Sequence, residues 1–195
     1  MIPSRISTSC AMVALSLLAA CGGGHSGSTP APATALVYTD PADQSGLYLK
    51  VEPATNHTSR IVLDLMAGSA LQAQGVSLYL SVDPAGAGWT RGDAAPFYAS
   101  NGTTFDLGEA SPQAFAAKVR GGDLQVGLYQ QSGTVAAQAG APLVRVGLTL
   151  GASGVAAGTS VALGATPGTT PVYVDASGAV RPFPAPIAIG TLTAN

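Results

Sequence analysis

The two cysteines are the most reactive side chains of this sequence, and their surroundings differ. Cys10 begins an apolar run, residues 10–20, that carries no charge. Cys21 follows this run directly, after the small residues Ala19 and Ala20, and three glycines come next. Because a cysteine thiolate is a strong nucleophile, Cys21 is a candidate for covalent modification at the point where the apolar run ends.

The apolar run has the length of a signal-peptide core. A helix needs about 20 apolar residues to cross a hydrocarbon layer about 30 Å thick, and residues 10–20 are too few. The stretch before it, residues 1–8, is short and polar, with Arg5 as its only charge. This arrangement is typical of a secretory signal peptide, and we expect residues 1–20 to be removed.

The junction Leu18-Ala19-Ala20-Cys21 resembles the lipobox of bacterial lipoproteins. The resemblance implies cleavage before Cys21 and attachment of lipid, such as palmitate, to its sulfur. Since one acyl chain binds a membrane only marginally, more than one chain is expected. Gly22 instead of aspartate implies sorting to the outer membrane, so we expect an envelope protein. The alternatives are an ordinary secretory signal with a chance cysteine, or an N-terminal membrane anchor.

Residues 21–34 are predicted to be a tether and residues 35–195 a single domain. The tether is rich in glycine, serine, proline and alanine, a composition that gives flexible or extended chains. Fully extended, it would reach about 45 Å. His25 lies within it, where a solvated side chain is favoured over capture of a metal ion.

Charge and cysteine content exclude several classes of protein. Without residues 1–20 the chain has seven basic and ten acidic residues, a net charge of −3, and no basic run. Nucleic-acid binding needs clustered basic side chains, so no nucleic-acid partner is predicted. With Cys10 removed and Cys21 lipidated, no thiol is left for a disulfide or a cysteine zinc site.

No catalytic set is visible in the sequence. His57 is the only histidine of the predicted domain, and it lies in a polar, turn-like stretch, residues 55–59. A triad needs a nucleophile, a base and an orienting group, and none of the usual hydrolase, zinc-protease or phosphate-loop patterns occurs. We therefore predict no catalytic residue, no cofactor and no enzyme activity.

The carboxylates offer only weak alternatives. Two of them held about 5–9 Å apart could hydrolyse glycosides, and the candidates are Asp64, Asp83, Asp93, Asp106 and Glu109. Asp64 lies within a predicted strand on its outward side, so a solvent-facing side chain is expected. Asp83 and Asp175 occupy turn positions where aspartate bonds its own backbone. A calcium site at Asp83 and Asp93 is disfavoured by the irregular spacing, and no metal is predicted.

One loop, residues 83–102, holds the candidate binding residues. It contains the only tryptophan, Trp89, and near it Tyr98. These rings could stack on sugar faces, or Trp89 could fold under and cap the core. The tripeptide that starts at Arg91, Arg-Gly-Asp, matches the sequence recognised by integrins, although the glycine alone is typical of a turn. We take Trp89, Arg91 and Tyr98 as the candidate binding residues.

Period-two patterns predict the elements that must position these residues. Apolar and polar side chains alternate in residues 47–52, 61–65, 76–82, 124–129 and 144–150. Shorter candidates are residues 36–38, 160–163, 171–174 and 187–192. One apolar face per strand is typical of antiparallel sheets packed face to face. The prediction is an all-β, two-sheet antiparallel sandwich of about nine strands.

One segment, near residues 112–120, is predicted to be a short helix. Ser111 is a good N-cap and Pro112 suits the first helical position. Lys118 and Arg120 would lie in the last turn, and Gly121 would end the helix.

The strand order resembles that of cohesin-like β-sandwiches, a nine-stranded jelly roll shared with some cellulose-binding modules. The likeness is carried by residues 75–84, by 123–129 with 141–148, and by 172–178 with 189–192. Cohesins are non-catalytic modules that bind partner proteins, and their structural cousins bind polysaccharide. The resemblance therefore implies a membrane-anchored module that binds a protein or a polysaccharide. The alternatives are a structural lipoprotein of a secretion or pilus system and, less favoured, a glycoside-active or metal-dependent enzyme.

Overall fold

The computed structural model describes residues 30–91, 98–102, 104–105, 115–130, 135–137, 139–152 and 154–195. The predicted signal peptide and residues 21–29 of the predicted tether, Cys21 among them, lie outside these ranges. The described residues form strands and turns, without a helix. In this part of the chain no helix is long and apolar enough to cross a membrane.

The described residues form sixteen strands, several of them very short. In chain order they are β1 (Leu36–Thr39), β2 (Leu47–Val51), β3 (Arg60–Ala67), β4 (Leu71–Ala73), β5 (Gly75–Val82), β6 (Ala87–Thr90), β7 (Ala99–Asn101), β8 (Phe115–Arg120), β9 (Asp123–Tyr129), β10 (Val135–Ala137), β11 (Pro142–Leu150), β12 (Thr159–Val161), β13 (Leu163–Ala165), β14 (Val172–Val174), β15 (Val180–Pro182) and β16 (Thr191–Ala194).

Two larger sheets pack face to face. The front sheet has the order β15-β14-β5-β9-β8, with β13 also paired to β5. The back sheet has the order β2-β3-β11-β6, with β7 also paired to β11. A three-stranded sheet, β1-β16-β12, and the pair β10-β4 complete the fold. The strand pairs are antiparallel, which confirms the predicted all-β antiparallel architecture.

The core is built from the alternating aliphatic residues that the sequence singled out. In β5, Leu78 and Leu80 are fully buried while Ser77 and Tyr79 lie on the other side. Leu63 of β3 is equally buried and belongs to the same apolar cluster. Each fully buried aliphatic side chain stabilises the fold by about 1.5–3 kcal/mol relative to exposure. The five long predicted runs are therefore confirmed as strands.

The predicted number of strands was wrong because some runs change partners. Residues 160–163 were expected to form one strand, but Ser160 pairs with Thr193 of β16, whereas Leu163 pairs with Val82 of β5. The chain therefore passes from one sheet to another within a few residues. Strands of three residues such as β4 and β15 are too short to show an alternating pattern.

The predicted helix was also wrong over residues 115–120, which form β8, while residues 112–114 lie outside the described ranges. Phe115 is buried and the following residues alternate between exposed and half-buried. Gly121, with φ 60°, and Gly122 form the two-residue turn of a hairpin, in which Arg120 pairs with Asp123. The glycine that suggested a helix end supplies the positive φ of this hairpin turn.

The first and last strands of the domain are paired. Leu36 of β1 lies opposite Ala194 of β16, and the N–H groups of Thr34 and Ala35 donate to the carbonyl of Asn195, each at 2.6 Å. The N–H of Ala33 donates to another part of the domain, the carbonyl of Val155. Contacts with the domain thus begin at Ala31, whose carbonyl accepts the N–H of Ala157 at 2.8 Å, within the segment predicted to be the tether.

Tyr38 fixes β1 from inside and gives a pH-dependent prediction. Its side chain is buried, and its hydroxyl accepts the N–H of Gly190 at 2.7 Å. Burial raises the pKa of Tyr38 to about 12. Because the folded pKa lies above the unfolded value of about 10, the stabilisation is complete below pH 10 and is lost as the pH rises to 12. We expect the wild type to lose about 2–3 kcal/mol over this range.

Urea unfolding between pH 9 and 12 checks this. The stability of Tyr38→Phe should be lower than wild type near neutral pH, but the difference should shrink above pH 10. Tyr79→Phe, which alters a partly exposed hydroxyl, should keep the wild-type pH profile. Parallel profiles for Tyr38→Phe and wild type would show that Tyr38 does not cause the loss.

Candidate functional site

The outward side of the front sheet, here called the front face, carries small and aliphatic side chains on neighbouring strands. Val172, Ser77, Gly127 and Ala116 lie side by side across four strands. Paired residues of neighbouring strands point to the same side of a sheet. Ser77 alternates with buried residues of β5, so this row faces away from the core.

The next row gives the front face its walls. Val180 and Val174 lie opposite each other, and Val174 in turn lies opposite Gly75, beside Tyr129. Val180 is 64% exposed and Tyr129 is 42% exposed, the two large apolar side chains in the described part of the chain with most contact with solvent. Exposed apolar side chains gathered on one surface are typical of binding sites, whereas single ones are ordinary.

Together these rows form an open depression of about 350 Å³, here called the valine groove. It is lined by Val76, Ser77, Ala116, Gly127, Leu128, Tyr129, Val172, Val174 and Val180. Its lining is mainly apolar, and it is wide enough to take aliphatic side chains from another molecule. A second, smaller depression of about 140 Å³ adjoins it along Lys118 and Gln125.

Two glycines shape the groove for different reasons. A methyl group on Gly75 would lie 2.3 Å from the carbonyl oxygen of Leu128, so the close approach of β5 and β9 requires glycine there. A methyl group on Gly127 would meet no atom within 4 Å. Gly127 therefore leaves the floor of the groove open without being needed for packing, although glycine weakens a strand interior.

The other half of the front face is polar. The side-chain amide of Gln125 donates to the hydroxyl of Tyr79 at 3.0 Å, and the hydroxyl of Thr166 donates to the carboxylate of Asp123 at 3.3 Å. Lys118 lies opposite Gln125 in the ladder and is exposed. A partner on this face would thus meet an apolar half and a hydrogen-bonding half, as in the core and rim of protein interfaces.

A hydrogen-bonded hairpin turn positions the valines. Asp175 follows β14, and one of its carboxylate oxygens accepts the N–H groups of Ser177 and Ala179. The other oxygen accepts the Nε–H of Arg181 at 2.9 Å. The hydrogen bonds from Ser177 and Arg181 lower the pKa of Asp175 far below its usual range. Asp175 thus caps its own turn, as its turn position predicted.

The residues that the sequence proposed for binding do not form one patch. Trp89 is buried in the core, and its indole N–H donates to the carbonyl of Gly122 at 2.6 Å, so it links the back sheet to the β8–β9 hairpin. The guanidinium of Arg91 lies over the ring of Tyr98, 4.9 Å from its centroid. Of the two alternatives for Trp89, the folded-under ring describes its position. A binding role for Arg91 and Tyr98 stays a prediction.

The acidic candidates are structural where the structure describes them. Asp64 was expected to face solvent, but it is only 8% exposed, and Arg145 donates to both of its oxygens at 2.8 and 3.0 Å. Asp83 accepts the N–H of Ala85, as its turn position predicted. Asp93, Asp106 and Glu109 lie outside the described residues. Among the described residues no three His, Cys, Asp or Glu side chains gather to hold a metal ion.

His57 lies in a turn on the rim of a separate, shallow cleft. It is exposed, and its φ of 65° is unusual for a residue with a side chain. Asp40 and Asn56 also line this cleft, but both are already engaged. Asp40 accepts the N–H of Val51, and Asn56 bonds both backbone groups of Tyr38. Those two side chains are therefore occupied, whereas Lys50 and His57, which also line the cleft, are exposed.

Nothing in the sequence patterns pointed to the valine groove, because its walls come from strands about 50 or 100 residues apart in the chain. One local signal exists. In Val172-Tyr173-Val174 both sides of a short strand are apolar, and Tyr173 packs against the core while the valines face outward. Apolar residues on both sides of a strand near a sheet edge indicate a covered or binding surface.

Comparison with known proteins supports the fold. No protein-family model and no curated protein matches the sequence. A type II cohesin domain from the cellulosome of Acetivibrio cellulolyticus has a similar structure, with a TM-score of 0.51, 12% identity, and coverage of 77% of this chain and 95% of that one. A chain of the CaDoc0917–CaCohA2 complex is also similar, with a TM-score of 0.50, 11% identity, and coverage of 76% and 99%. The chain thus has a cohesin-like β-sandwich.

Proposed function

We propose that this protein is a non-catalytic binding module, held at a membrane by lipid on Cys21, that docks a partner protein in the valine groove. The observation that carries the proposal is the grouping of Val180 and Tyr129, both exposed, around an aliphatic depression on an otherwise polar face. Burying such side chains against a partner is favourable by about 25 cal/mol per Å² of apolar surface.

The lining of the groove favours a protein over a polysaccharide. Sugar faces stack on aromatic rings, whereas this groove has valine walls and one tyrosine at its edge. Trp89, the residue best suited to stack on a sugar, is buried elsewhere. One of the two similar structures is itself a complex of two proteins, which is in line with a protein partner without identifying one.

The envelope location is supported by sequence alone. The apolar run, the small residues before Cys21 and the glycines after it fit a lipid-anchored chain. Between Cys21 and the first contact with the domain at Ala31, the tether could extend about 35 Å. The groove would then be presented to partners in the envelope.

Filling the valine groove with a larger side chain of this protein should block docking of the partner. In Gly127→Leu the Cβ would meet no atom within 4 Å, so the side chain can extend into the groove, and we expect the fold to be retained while the partner is excluded. We expect the affinity for the partner to fall about tenfold or more, as for a blocked interface centre. Gly164→Leu is the matched control on the same sheet, because a methyl group there also meets no atom within 4 Å; Gly88→Leu is the equivalent on the back sheet.

A photo-crosslinking amino acid, placed in turn at positions 127, 164 and 88, identifies the partner in cells and tests the proposal at the same time. Position 127 should give an adduct with one discrete protein, and position 88 should not. The proposal is wrong if all three positions give the same adducts, or if position 127 gives none while a glycan array detects tight binding. The alternative of a structural lipoprotein would be favoured if the adduct is a secretion or pilus component.

A further inference from the structure

The outer edge of the front sheet at β8 differs from the opposite edge of that sheet, β15, and from the β2 edge of the back sheet. β8 has six residues, pairs with β9 without a register shift, and contains no proline. At the opposite edge, β15 has three residues and ends in Pro182. At the back-sheet edge, β2 is covered by Ala188, which exchanges hydrogen bonds with Leu47 and Leu49.

The hydrogen-bond register shows which backbone groups of β8 face outward. Next to β9, Gly122 and Gln130 bond to the β5 side of the sheet, to Val82 and Gln74 respectively. Along an antiparallel strand, the backbone N–H and C=O groups of successive residues point in turn to one neighbouring strand and to the other. The backbone groups of the even-numbered residues of β9 therefore face β5, and those of the odd-numbered residues face β8. Within β8 the residues bonded to β9 are therefore 116, 118 and 120.

It follows that the N–H and C=O groups of Ala117 and Val119 point away from the sheet. Their side chains are half-buried against the core, so an added strand could cover them. Natural sheets usually protect such an edge with short strands, prolines, bulges, inward-pointing charges or exposed charged side chains, above all lysine. Over Phe115–Arg120 the exposed Lys118 and Arg120 are the protection that this strand carries, and these charges disfavour pairing with a basic strand but not with an acidic one.

Charge indicates what would pair there. Lys118 and Arg120 are exposed on the outward side of β8. Arg120 lies opposite Asp123, but Lys118 lies opposite the neutral Gln125, and no described carboxylate forms an ion pair with it. A carboxylate beside Lys118 on a neighbouring strand would be favourable, and a second lysine there would be unfavourable.

We infer that the β8 edge binds an extended, acidic segment of a partner protein, which joins the front sheet as an additional strand. Side chains beside Lys118 would be acidic, and those beside Ala117 and Val119 would be aliphatic. Peptides that add to a sheet edge gain affinity from main-chain hydrogen bonds and specificity from alternate side chains. This inference is independent of the valine groove, because it uses backbone groups at the edge of the sheet rather than side chains on its face.

A peptide probe tests the inference on the full-length protein in detergent. The probe is a fluorescein-labelled peptide in which valine and glutamate alternate over about eight residues, a usual strand length. Fluorescence anisotropy should detect its binding, and hydrogen exchange should slow at the amides of Ala117 and Val119. Replacing glutamate with lysine in the probe should weaken binding about tenfold, and Lys118→Glu should reverse this preference.

Val119→Pro removes one outward N–H without removing a bond to β9, and proline is tolerated at such positions. It should weaken binding of the probe about tenfold, while Val119→Thr, which keeps the N–H, should not. Two further probes, methylated on opposite sets of alternate amide nitrogens, repeat the test without altering the protein. Only the probe whose methylated nitrogens would face β8 should lose binding. Gly127→Leu should leave binding of the probe unchanged, which separates this edge from the groove.

Three results would overturn the inference. The first is equal binding by the Val119→Pro and Val119→Thr proteins, and the second is no binding of the acidic probe to the wild type. The third is a dimer in solution that Val119→Pro dissociates, because the edge would then pair with a second copy of this chain.

Discussion

Replacing Cys21 with alanine should abolish incorporation of an alkyne-tagged palmitate into this protein. Cys21 follows the small residues Ala19 and Ala20 directly, and its sulfur is the group that would carry lipid. Two or more acyl chains hold a protein at a bilayer stably, whereas one chain gives only weak, reversible binding. The effect should therefore be nearly complete: the wild type is labelled and the Cys21→Ala protein is not.

Cys10→Ala provides the matched control, because Cys10 lies within the apolar run that we expect to be removed with the signal peptide. The Cys10→Ala protein should be labelled as strongly as the wild type, and the mass of the mature chain should start at Cys21 plus lipid. The lipoprotein assignment would be wrong if the wild type takes up no label, or if the label follows Cys10 instead of Cys21.

Replacing Arg145 with methionine should destabilise the domain by about 2–3 kcal/mol. Arg145 and Asp64 are paired across β11 and β3, and both carboxylate oxygens of Asp64 accept hydrogen bonds from Arg145. The side chain of Asp64 is only 12% exposed, whereas that of Arg145 is 43% exposed. Methionine would thus leave a mostly buried carboxylate without its partner, which costs more than the surface ion pair itself contributes.

Removing the carboxylate of this pair should destabilise the domain less than removing the guanidinium. Asp64→Asn leaves Arg145 partly in solvent, where water can replace the lost bonds, so we expect a loss of about 1 kcal/mol. The double variant Asp64→Leu with Arg145→Met should be more stable than Arg145→Met alone, because no buried charge remains. Urea unfolding at neutral pH measures all three. Lys50 is the exposed neighbour of Asp64 in the ladder, and Lys50→Met should change stability by less than about 0.5 kcal/mol. An equal loss of stability for Lys50→Met and Arg145→Met would show that the pairing of Arg145 with Asp64 is not the cause.

The long strands could be predicted because burial on one side leaves a period-two record in the sequence. β5 is the clearest example, where Leu78, Leu80 and Val82 are buried and the residues between them are not. Asp64 shows the limit of the same rule. Its position on the outward side of β3 was correct, but alternation says nothing about a partner strand, and Arg145 lies 81 residues away in the chain.

The error at β8 has a local cause. Phe115 and Val119 are four residues apart, which suits one face of a helix as well as one face of a strand. Serine and proline before them and glycine after them then favoured the helix. The competing information is the pairing of β8 with β9, and a sequence read segment by segment does not contain it.

The candidate site could not be predicted for a related reason. The valine groove forms where β14 and β15 join β5 and β9, and no single segment holds more than part of it. Trp89 and Tyr98 were singled out by residue type, yet the structure uses Trp89 inside the core. Residue type alone does not tell a stacking ring from a packing one.

The pairing of β1 with β16 makes closure of the fold depend on two segments that lie far apart in the chain. Leu36 pairs with Ala194 and Thr39 with Thr191, so β1 lacks this partner until β16 has been synthesised. Contacts between such distant parts of a chain form slowly. We therefore expect the β1–β16 pairing to form late in folding, after the two larger sheets.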